Sequence, residues 1–313
     1  MNISAHAPHI GRFAPSPNGR LHLGHGYSAM LAHDTARAAG GQFLLRIEDI
    51  DRARARPEHE AAILKDLAWL GVRWDAPPWR QSARMGAYDA ALARLGGMGL
   101  LYPCACTRRD IAGALDAPQE GSPDAHGGPD GAPYPGTCRP TAPVGPPWPK
   151  GAALRLNMPA AIDALGGQKA VRALEWQELD QGPEGQTGPQ RLCPDWLTDR
   201  CGDVVLARKD AGTSYHLSVT VDDAAQGISH VTRGRDLFHA TPVHRLLQAL
   251  LDLPVPIWRH HRLIRDAGGR RLAKRDHDQG LAELRGAGAT PADIRAMVGL
   301  PPPGETGRRL FAE

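Results

Sequence analysis

The stretch Gly11 to His25, GRFAPSPNGRLHLGH, decides the fold of this chain. Phe13 lies in a short extended run, and Pro15 and Pro17 forbid a helix there. Asn18-Gly19 is a turn pair. From Leu23 the apolar residues recur at Tyr27, Met30, Leu31 and Ala38, a helical spacing that stops at Gly40-Gly41. A strand that feeds a helix through a small-residue loop aims free backbone N–H groups, and about half a positive charge from the helix dipole, above the strand's carboxyl end. Phosphate is the usual occupant of such a place. His22 and His25 stand at this mouth on one helical face, and Gly24 between them has no Cβ to hold off a flat group.

Outward from that stretch, Gln42 to Ile47 (QFLLRI) is an apolar run of strand length. The strand–helix–strand order predicts a parallel βαβ unit with a right-handed crossover. Alternation puts Arg46 and Glu48 on one face. In a doubly wound sheet the carboxyl ends of neighbouring strands open into one crevice, which brings Glu48 beside His22, and a carboxylate there suits a ligand ammonium. Pro57 opens a helix with Ile63, Leu67 and Leu70 on one face, closed by Gly71. Trp74 and Trp79 flank a Pro77-Pro78 turn, and Ser82 is expected to cap a further helix to about Leu95. These segments read as scaffold.

Cys104-x-Cys106 is followed, after a Gly-, Pro- and Asp-rich loop, by Tyr134-Pro-Gly-Thr-Cys138. Three thiolates with one further ligand can bind zinc tetrahedrally; Tyr134 is the nearest fourth ligand and His126 its competitor, with idle cysteines the plain alternative. Cys193 and Cys201 read as structural. Residues 144–200 carry little legible chemistry: Ala153 to Asn157 looks like a strand, Gln181 to Gln190 like a loop, and the whole like an insertion between two halves of a sheet. In the second half, Asp203 to Arg208 is strand-like and Asp210 to Gly212 a turn. Tyr215 to Val221 alternates as a strand reaching Asp222-Asp223, and His230 to Arg233 is another strand. Tyr215 and Arg233 thereby become candidates to project into a common cleft. A helix from Pro242 to Leu251 turns Leu246, Leu247 and Leu250 inward. Between Arg259 and Arg275 stand seven Lys/Arg residues against one acid, Asp266, and Gly268-Gly269 predicts a flexible loop suited to gripping and releasing phosphates.

At 313 residues the chain can bury a substantial core. A net charge of only +3 announces no global field for nucleic acid, although local patches are compatible with one. Five cysteines, no signal-like apolar start and no run near the ~18 to 20 apolar residues needed to cross a membrane make a soluble cytoplasmic protein the expectation.

FAPSPNGRLHLGH, RIEDID, YPCACT with YPGTC, VVLARKDAGTSYHLSVTVDDAAQGISHVTRGRDL and RRLAKR occur in one order. Together they resemble the catalytic portion of the glutamyl-tRNA synthetases, class I enzymes, from about Gly11 to Asp276. The resemblance implies a Rossmann-like doubly wound parallel α/β sheet with an inserted zinc-knuckle subdomain. On it, residues 1–103 and 201–285 are the two halves of the catalytic domain, 104–200 the insertion and 286–313 a short C-terminal segment. His22 and His25 look like the family's first nucleotide motif, and Arg271-Leu-Ala-Lys274-Arg275 like its lysine loop, with Arg271 where lysine is typical and Ala273 where serine is usual. Since 39 residues follow Lys274, no anticodon-reading domain is expected, and the nearest resemblance is to the truncated paralogues, the glutamyl-Q tRNA(Asp) synthetases. That family uses ATP to activate glutamate and attaches it to the queuosine base of tRNA(Asp).

By the same resemblance the catalytic residues are His22, His25 and Lys274, and ATP is held by His22, Gly24, His25, Arg271 and Lys274, with Mg2+ expected. Glutamate is held by Arg12, Phe13, Ala14, Pro15 and Ser16 of the first strand and the loop after it, by Glu48 at the ammonium, and by Tyr215 and Arg233. Cys104, Cys106, Tyr134 and Cys138 would bind one structural Zn2+, and a monomer is expected. An arginine facing the side-chain carboxylate selects glutamate over glutamine by charge, at roughly 1.5 to 3 kcal/mol per charge-assisted bond. Aspartate is rejected by reach, about 1 to 3 kcal/mol for one methylene. The alternatives are a truncated glutamyl-tRNA synthetase-like enzyme charging another acceptor, a small-molecule nucleotidyltransferase or ligase with the same nucleotide motif, and a non-catalytic RNA-binding module.

Overall fold

Parallel strands covered by helices on both faces form the body of the molecule, as seen in a computed structural model that describes residues 8–107, 109–111, 129, 131–142, 144–149, 151–264 and 280–305. Strand β1 (Ile10–Phe13) leads through the proline-rich loop into α1 (Leu23–Ala38) and back into β2 (Gln42–Ile47). Then come α2 (Pro57–Trp69), β3 (Trp79–Arg80), α3 (Met85–Gly97) and β4 (Leu101–Cys104). The middle of the chain supplies β5 (Ala153–Leu156), α4 (Met158–Ala164), α5 (Gly167–Arg172), β6 (Glu175–Glu178) and β7 (Gly188–Arg191). After a short helical turn come β8 (Val205–Ala207), α6 (Tyr215–Ala225), β9 (His230–Gly234), α7 (Thr241–Leu250), β10 (Ile257–His261), α8 (Leu281–Gly286) and α9 (Pro291–Met297).

The main sheet has the order β3-β2-β1-β9-β10-β6-β7, and all its pairings are parallel except β6 with β7. Strand order reverses between β1 and β9, so the crossovers on the two sides leave in opposite directions and a crevice opens above the carboxyl ends of this pair. Alternate residues of β2 serve the two faces: Phe43, Leu45 and Ile47 pack with Met30, Ile63 and Leu67, while Leu44 meets the opposite core with Val243, Leu246 and Leu247 of α7. Strands β4, β5 and β8 form a separate antiparallel sheet.

Three local readings of the sequence are corrected. Tyr215 to Val221 is the start of helix α6, capped by Ser214, whose Oγ accepts from the Leu217 N–H at 3.4 Å. His216 through Thr220 are all buried, so the apolar pattern carries no period that separates helix from strand. Ser82 caps no helix: its N–H and Oγ both donate to the Asp49 carboxylate, at 2.8 and 2.6 Å, and α3 begins at Met85. Within the expected loop Gln181 to Gln190, Gly188–Arg191 is strand β7, and with β6 it extends the main sheet rather than standing apart from it.

Helix α6 is tied to the first half of the chain by buried charge. Asp223 accepts from Arg12 through Nε at 3.0 Å and Nη2 at 3.2 Å, and from Arg46 Nη1 at 2.8 Å. Asp222 accepts from Gln81, Arg84 and Tyr88. Burial alone would raise the Asp223 carboxyl, but the charges of Arg12 and Arg46 outweigh it and hold the group below the usual carboxylate range. Replacing Asp223 with alanine leaves buried Arg12 without its carboxylate and Arg46 with only its longer pairs to Glu48 and Asp222, and is expected to lower the unfolding free energy by about 3 to 5 kcal/mol. Chemical denaturation measures it, and a loss under about 1 kcal/mol contradicts the assignment.

Candidate active site

The helix that follows β1 opens with both histidines of the first motif. His22 is the N-cap of α1: its Nδ1 accepts from the Gly24 N–H at 3.1 Å, while His25 Nδ1 accepts from the His22 N–H at 3.2 Å. This is a capping box built from imidazoles in place of the usual hydroxyl and carboxylate. Because each Nδ1 accepts, the neutral rings carry their proton on Nε2, and the two rings lie 3.8 Å apart. Gly24 leaves this pair unstrained, since a Cβ there would stand 3.0 Å from His22 Cε1 and the ring would have to shift by a few tenths of an ångström.

A cleft of about 430 Å³ spreads over this helix start and the carboxyl ends of β1, β9 and β10. It gathers every residue that the sequence nominates for glutamate and, of those nominated for ATP, His22, Gly24 and His25. Arg12, Phe13, Ala14, Pro15 and Ser16 form one wall, His22, Gly24 and His25 the floor beside the helix, and Glu48, Tyr215 and Arg233 the far side. Arg271, Ala273 and Lys274 lie outside the described residues, as does His126.

The charged groups of the cleft differ sharply in what surrounds them. Arg12 is 4% exposed and committed to Asp223 and the Thr232 carbonyl. Glu48 lies 3.5 Å from Arg46, and burial pushes its carboxyl up against the opposing pull of Arg46 and Arg12. Arg233, 5% exposed, donates Nε–H to His260 Nε2 at 3.0 Å, Nη1 to the Tyr215 hydroxyl at 3.1 Å and His244 Nδ1 at 3.3 Å, and Nη2 to Thr241 Oγ1 at 2.8 Å. None of these four partners is an acid. Burial lowers His260 to about 4 and His244 well below its ordinary value, so both rings are neutral at physiological pH. A buried guanidinium surrounded by neutral acceptors is a strong site for a ligand carboxylate, and Glu48 across the same cleft is a complementary site for an ammonium.

Asp222, Asp223, His244, His260 and Glu178 were not legible as site support. Of the two histidines only His260 bears a faint signal, since it stands in the basic tract from Arg259 to Arg275. Glu178 had none.

The cysteine cluster is assembled as expected. Cys104, Cys106 and Cys138 have sulfurs within 4.8 Å of one another. The Tyr134 oxygen is 3.5 Å from Cys104 Sγ and 3.4 Å from Cys106 Sγ, and it accepts the Cys138 N–H at 2.8 Å. A tetrahedral zinc with ordinary bond lengths requires about 3.5 Å between a sulfur and an oxygen ligand, so the donor set fits a metal of that size. Arg155 lies 3.8 Å over the Tyr134 ring. Cys193 is exposed and Cys201 packs in the main core.

Residues 10–123 and 196–302 match the family profile described as tRNA synthetases class I (E and Q), catalytic domain. The chain is 55% identical over 295 residues to the glutamyl-Q tRNA(Asp) synthetase of Rhodobacter capsulatus, covering 93% of this chain and 100% of that one. It is 41% identical to that of Nocardia farcinica, covering 93% and 85%. Among solved structures, the glutamate-tRNA synthetase of Elizabethkingia anophelis superposes with a TM-score of 0.65 at 25% identity over 87% of this chain. The glutamate tRNA ligase of Elizabethkingia meningosepticum gives 0.64 at 26%. The chain spans about half the length of those two, 54% and 53%. Among the described residues, no helix is long and apolar enough to cross a membrane.

The depressed His260 value has a stability consequence. Between about pH 6.5 and about 4 the unfolded chain binds a proton on this ring that the folded chain refuses, so stability is full above that window and falls as pH drops through it. Denaturant midpoints followed from pH 7 to 4.5 should decline, and His260→Gln should flatten part of the slope; an unchanged slope rules out the neutral, buried ring.

Proposed function

The chain belongs to the glutamyl-Q tRNA(Asp) synthetases, within the class I (E and Q) tRNA synthetases, and on that premise we propose that it activates L-glutamate with ATP and transfers it to the queuosine base of tRNA(Asp). The observation that carries the amino-acid assignment is Arg233, a buried cation whose neutral partners orient it without neutralising it. A side-chain carboxylate of glutamate completes that environment, with the Tyr215 hydroxyl, which accepts from Arg233, free to donate its own proton to the same group. Glu48 receives the α-ammonium. The α-carboxylate is then directed toward the mouth of α1.

There it attacks the α-phosphorus of ATP. A new oxygen–phosphorus bond forms, the bond to the bridging oxygen breaks, and pyrophosphate leaves with that electron pair. The protein's share is positioning and neutralisation of charge on the phosphates. His22 and His25 are a backbone-locked pair whose neutral rings, with Nδ1 engaged, carry their N–H on Nε2, beside the positive end of the α1 dipole. Lys274, with Arg271, is assigned to the departing phosphates on its motif alone. In the second step a hydroxyl of the modified base displaces AMP and becomes the ester oxygen.

Cys104, Cys106, Tyr134 and Cys138 would hold one zinc ion that supplies no chemistry and ties the end of β4 to the Tyr134–Cys138 segment.

Labelled glutamate offered with ATP and tRNA(Asp) should label the queuosine-bearing tRNA and not the unmodified one. Equal labelling of both, or labelling of tRNA(Glu) alone, overturns the acceptor; product formed without RNA favours a small-molecule ligase. Arg233→Ala should lower kcat/KM for glutamate in ATP–pyrophosphate exchange by about 10- to 150-fold, with the KM for ATP little changed. Elemental analysis should find one zinc per chain, lost in Cys138→Ser; a metal-free, fully folded wild type contradicts the site.

A further inference from the structure

We propose that Glu178, which does not line the cleft, is a positioning residue for glutamate binding: it fixes the tautomer of His260, and His260 in turn aims Arg233 into the cleft. The inference rests on the reading of the cleft as a glutamate site.

Glu178 ends β6, the strand that extends the main sheet beyond β10, and it is 1% exposed. Its Oε1 accepts the backbone N–H of His260 at 2.9 Å and of Asp180 at 3.1 Å. Its Oε2 lies 2.5 Å from His260 Nδ1. On the other side of the same ring, Nε2 faces Arg233 Nε at 3.0 Å and Thr241 Oγ1 at 3.2 Å. An arginine Nε–H can only donate. Nε2 must therefore present its lone pair, and the neutral ring must carry its proton on Nδ1, where the Glu178 carboxyl oxygen is waiting to accept it. Both ends of the imidazole are thus specified, and no other tautomer satisfies Arg233.

The guanidinium needs this. Its Nε is held by His260, its Nη1 by Tyr215 and His244, and its Nη2 by Thr241, which accounts for four of the five N–H groups an arginine carries. The remaining one, on Nη2, is the natural donor for a ligand carboxylate. If His260 turned a proton toward Arg233, two donors would face each other at hydrogen-bond distance and the plane of the guanidinium would have to rotate, displacing that donor. A misplacement of about 1 Å in a binding group is enough to cost orders of magnitude in turnover.

Glu178→Gln separates these roles. The amide has one carbonyl oxygen for three donors. When that oxygen serves the two backbone N–H groups, the NH2 points at Nδ1 and drives the imidazole proton to Nε2. In ¹⁵N-histidine NMR of the whole enzyme, with His260 identified by its loss in His260→Ala, the wild type should show the Nδ1–H form and Glu178→Gln the Nε2–H form. The KM for glutamate in ATP–pyrophosphate exchange should rise at least about tenfold in Glu178→Gln, with the KM for ATP unchanged. His260→Ala should show the same split, and the double variant should be no worse than the weaker single, because both act through one arginine.

A merely structural role would move stability and both KM values together and leave the tautomer alone. An Nε2–H ring in the wild type, additive effects in the double variant, or a glutamate KM within twofold of wild type after the tautomer has changed would each overturn the inference. If Glu178→Gln does not fold, the wild-type tautomer and the KM split of His260→Ala decide it. Absence of any glutamate-dependent exchange in the wild type would instead remove the reading of the ligand, and the tautomers alone would then decide whether Glu178 sets the ring.

Discussion

One buried carboxylate holds the two halves of the molecule in register. Asp223, on α6, lies between Arg12 of β1 and Arg46 of β2, residues separated from it by 211 and 177 positions in the chain. Moving three such charges out of water is costly, and the cost is offset only when every distance is right. The network therefore tolerates one arrangement of α6 against β1 and β2. That arrangement also puts Tyr215, at the other end of the same helix, over the carboxyl ends of β1 and β9. Asp222 extends the constraint to Gln81 and Arg84 of the segment that leads into α3 and to Tyr88 within it. The position of one wall of the cleft is thus a consequence of ion pairing on the far side of it.

The floor of the cleft is set by two hydrogen bonds of quite different character. The first turn of α1 leaves backbone N–H groups without intrahelical partners, and the side chains that satisfy two of them here are the very imidazoles that line the cleft. The interaction that caps the helix is also the one that orients the imidazoles lining the cleft. A hydroxyl at position 22 would cap as well, but it would present no ring nitrogen to a phosphate. An imidazole whose Nδ1 is occupied by a backbone amide is restricted in rotation and keeps its proton on Nε2, so the donors are oriented before any ligand arrives.

The parts of this architecture that were legible in the sequence are the local ones. Turn chemistry, helical spacing and two prolines suffice to place β1, the loop and α1, because each is decided within a few residues. Glu48, Tyr215 and Arg233 gather in one cleft as the pattern of motifs implied, although Tyr215 arrives there on a helix rather than a strand. Alternation misled at α6 because a helix buried on nearly all sides has no polar face to mark its period. Ser82 misled because a capping residue and a partner for a distant carboxylate are the same residue type; only the fold brings Asp49 to it. Glu178 was invisible for a stronger reason: its meaning depends on β6 lying beside β10, a pairing across 82 residues that no short-range pattern encodes.

These observations explain why Arg233, the arginine proposed to bind the ligand carboxylate, is surrounded by histidines, a threonine and a tyrosine rather than by acids. Arg12 and Arg46 show the alternative, guanidinium groups met by buried carboxylates: Asp223 pairs with both, and Glu48 and Asp222 also stand beside Arg46. Had Arg233 been paired in the same way, an incoming carboxylate would have to displace an equally good internal partner, and the net gain on binding would be small. Neutral acceptors satisfy the geometry of the N–H groups while leaving the field of the cation intact in a medium of low polarity. Their neutrality is itself maintained by the arrangement: burial and the nearby Arg233 charge both disfavour protonation of His244, and burial does the same for His260 against the pull of Glu178. The cleft is thus one negative charge short of balance on its Arg233 side, and an acidic ligand restores that balance where a neutral amide of the same shape does not.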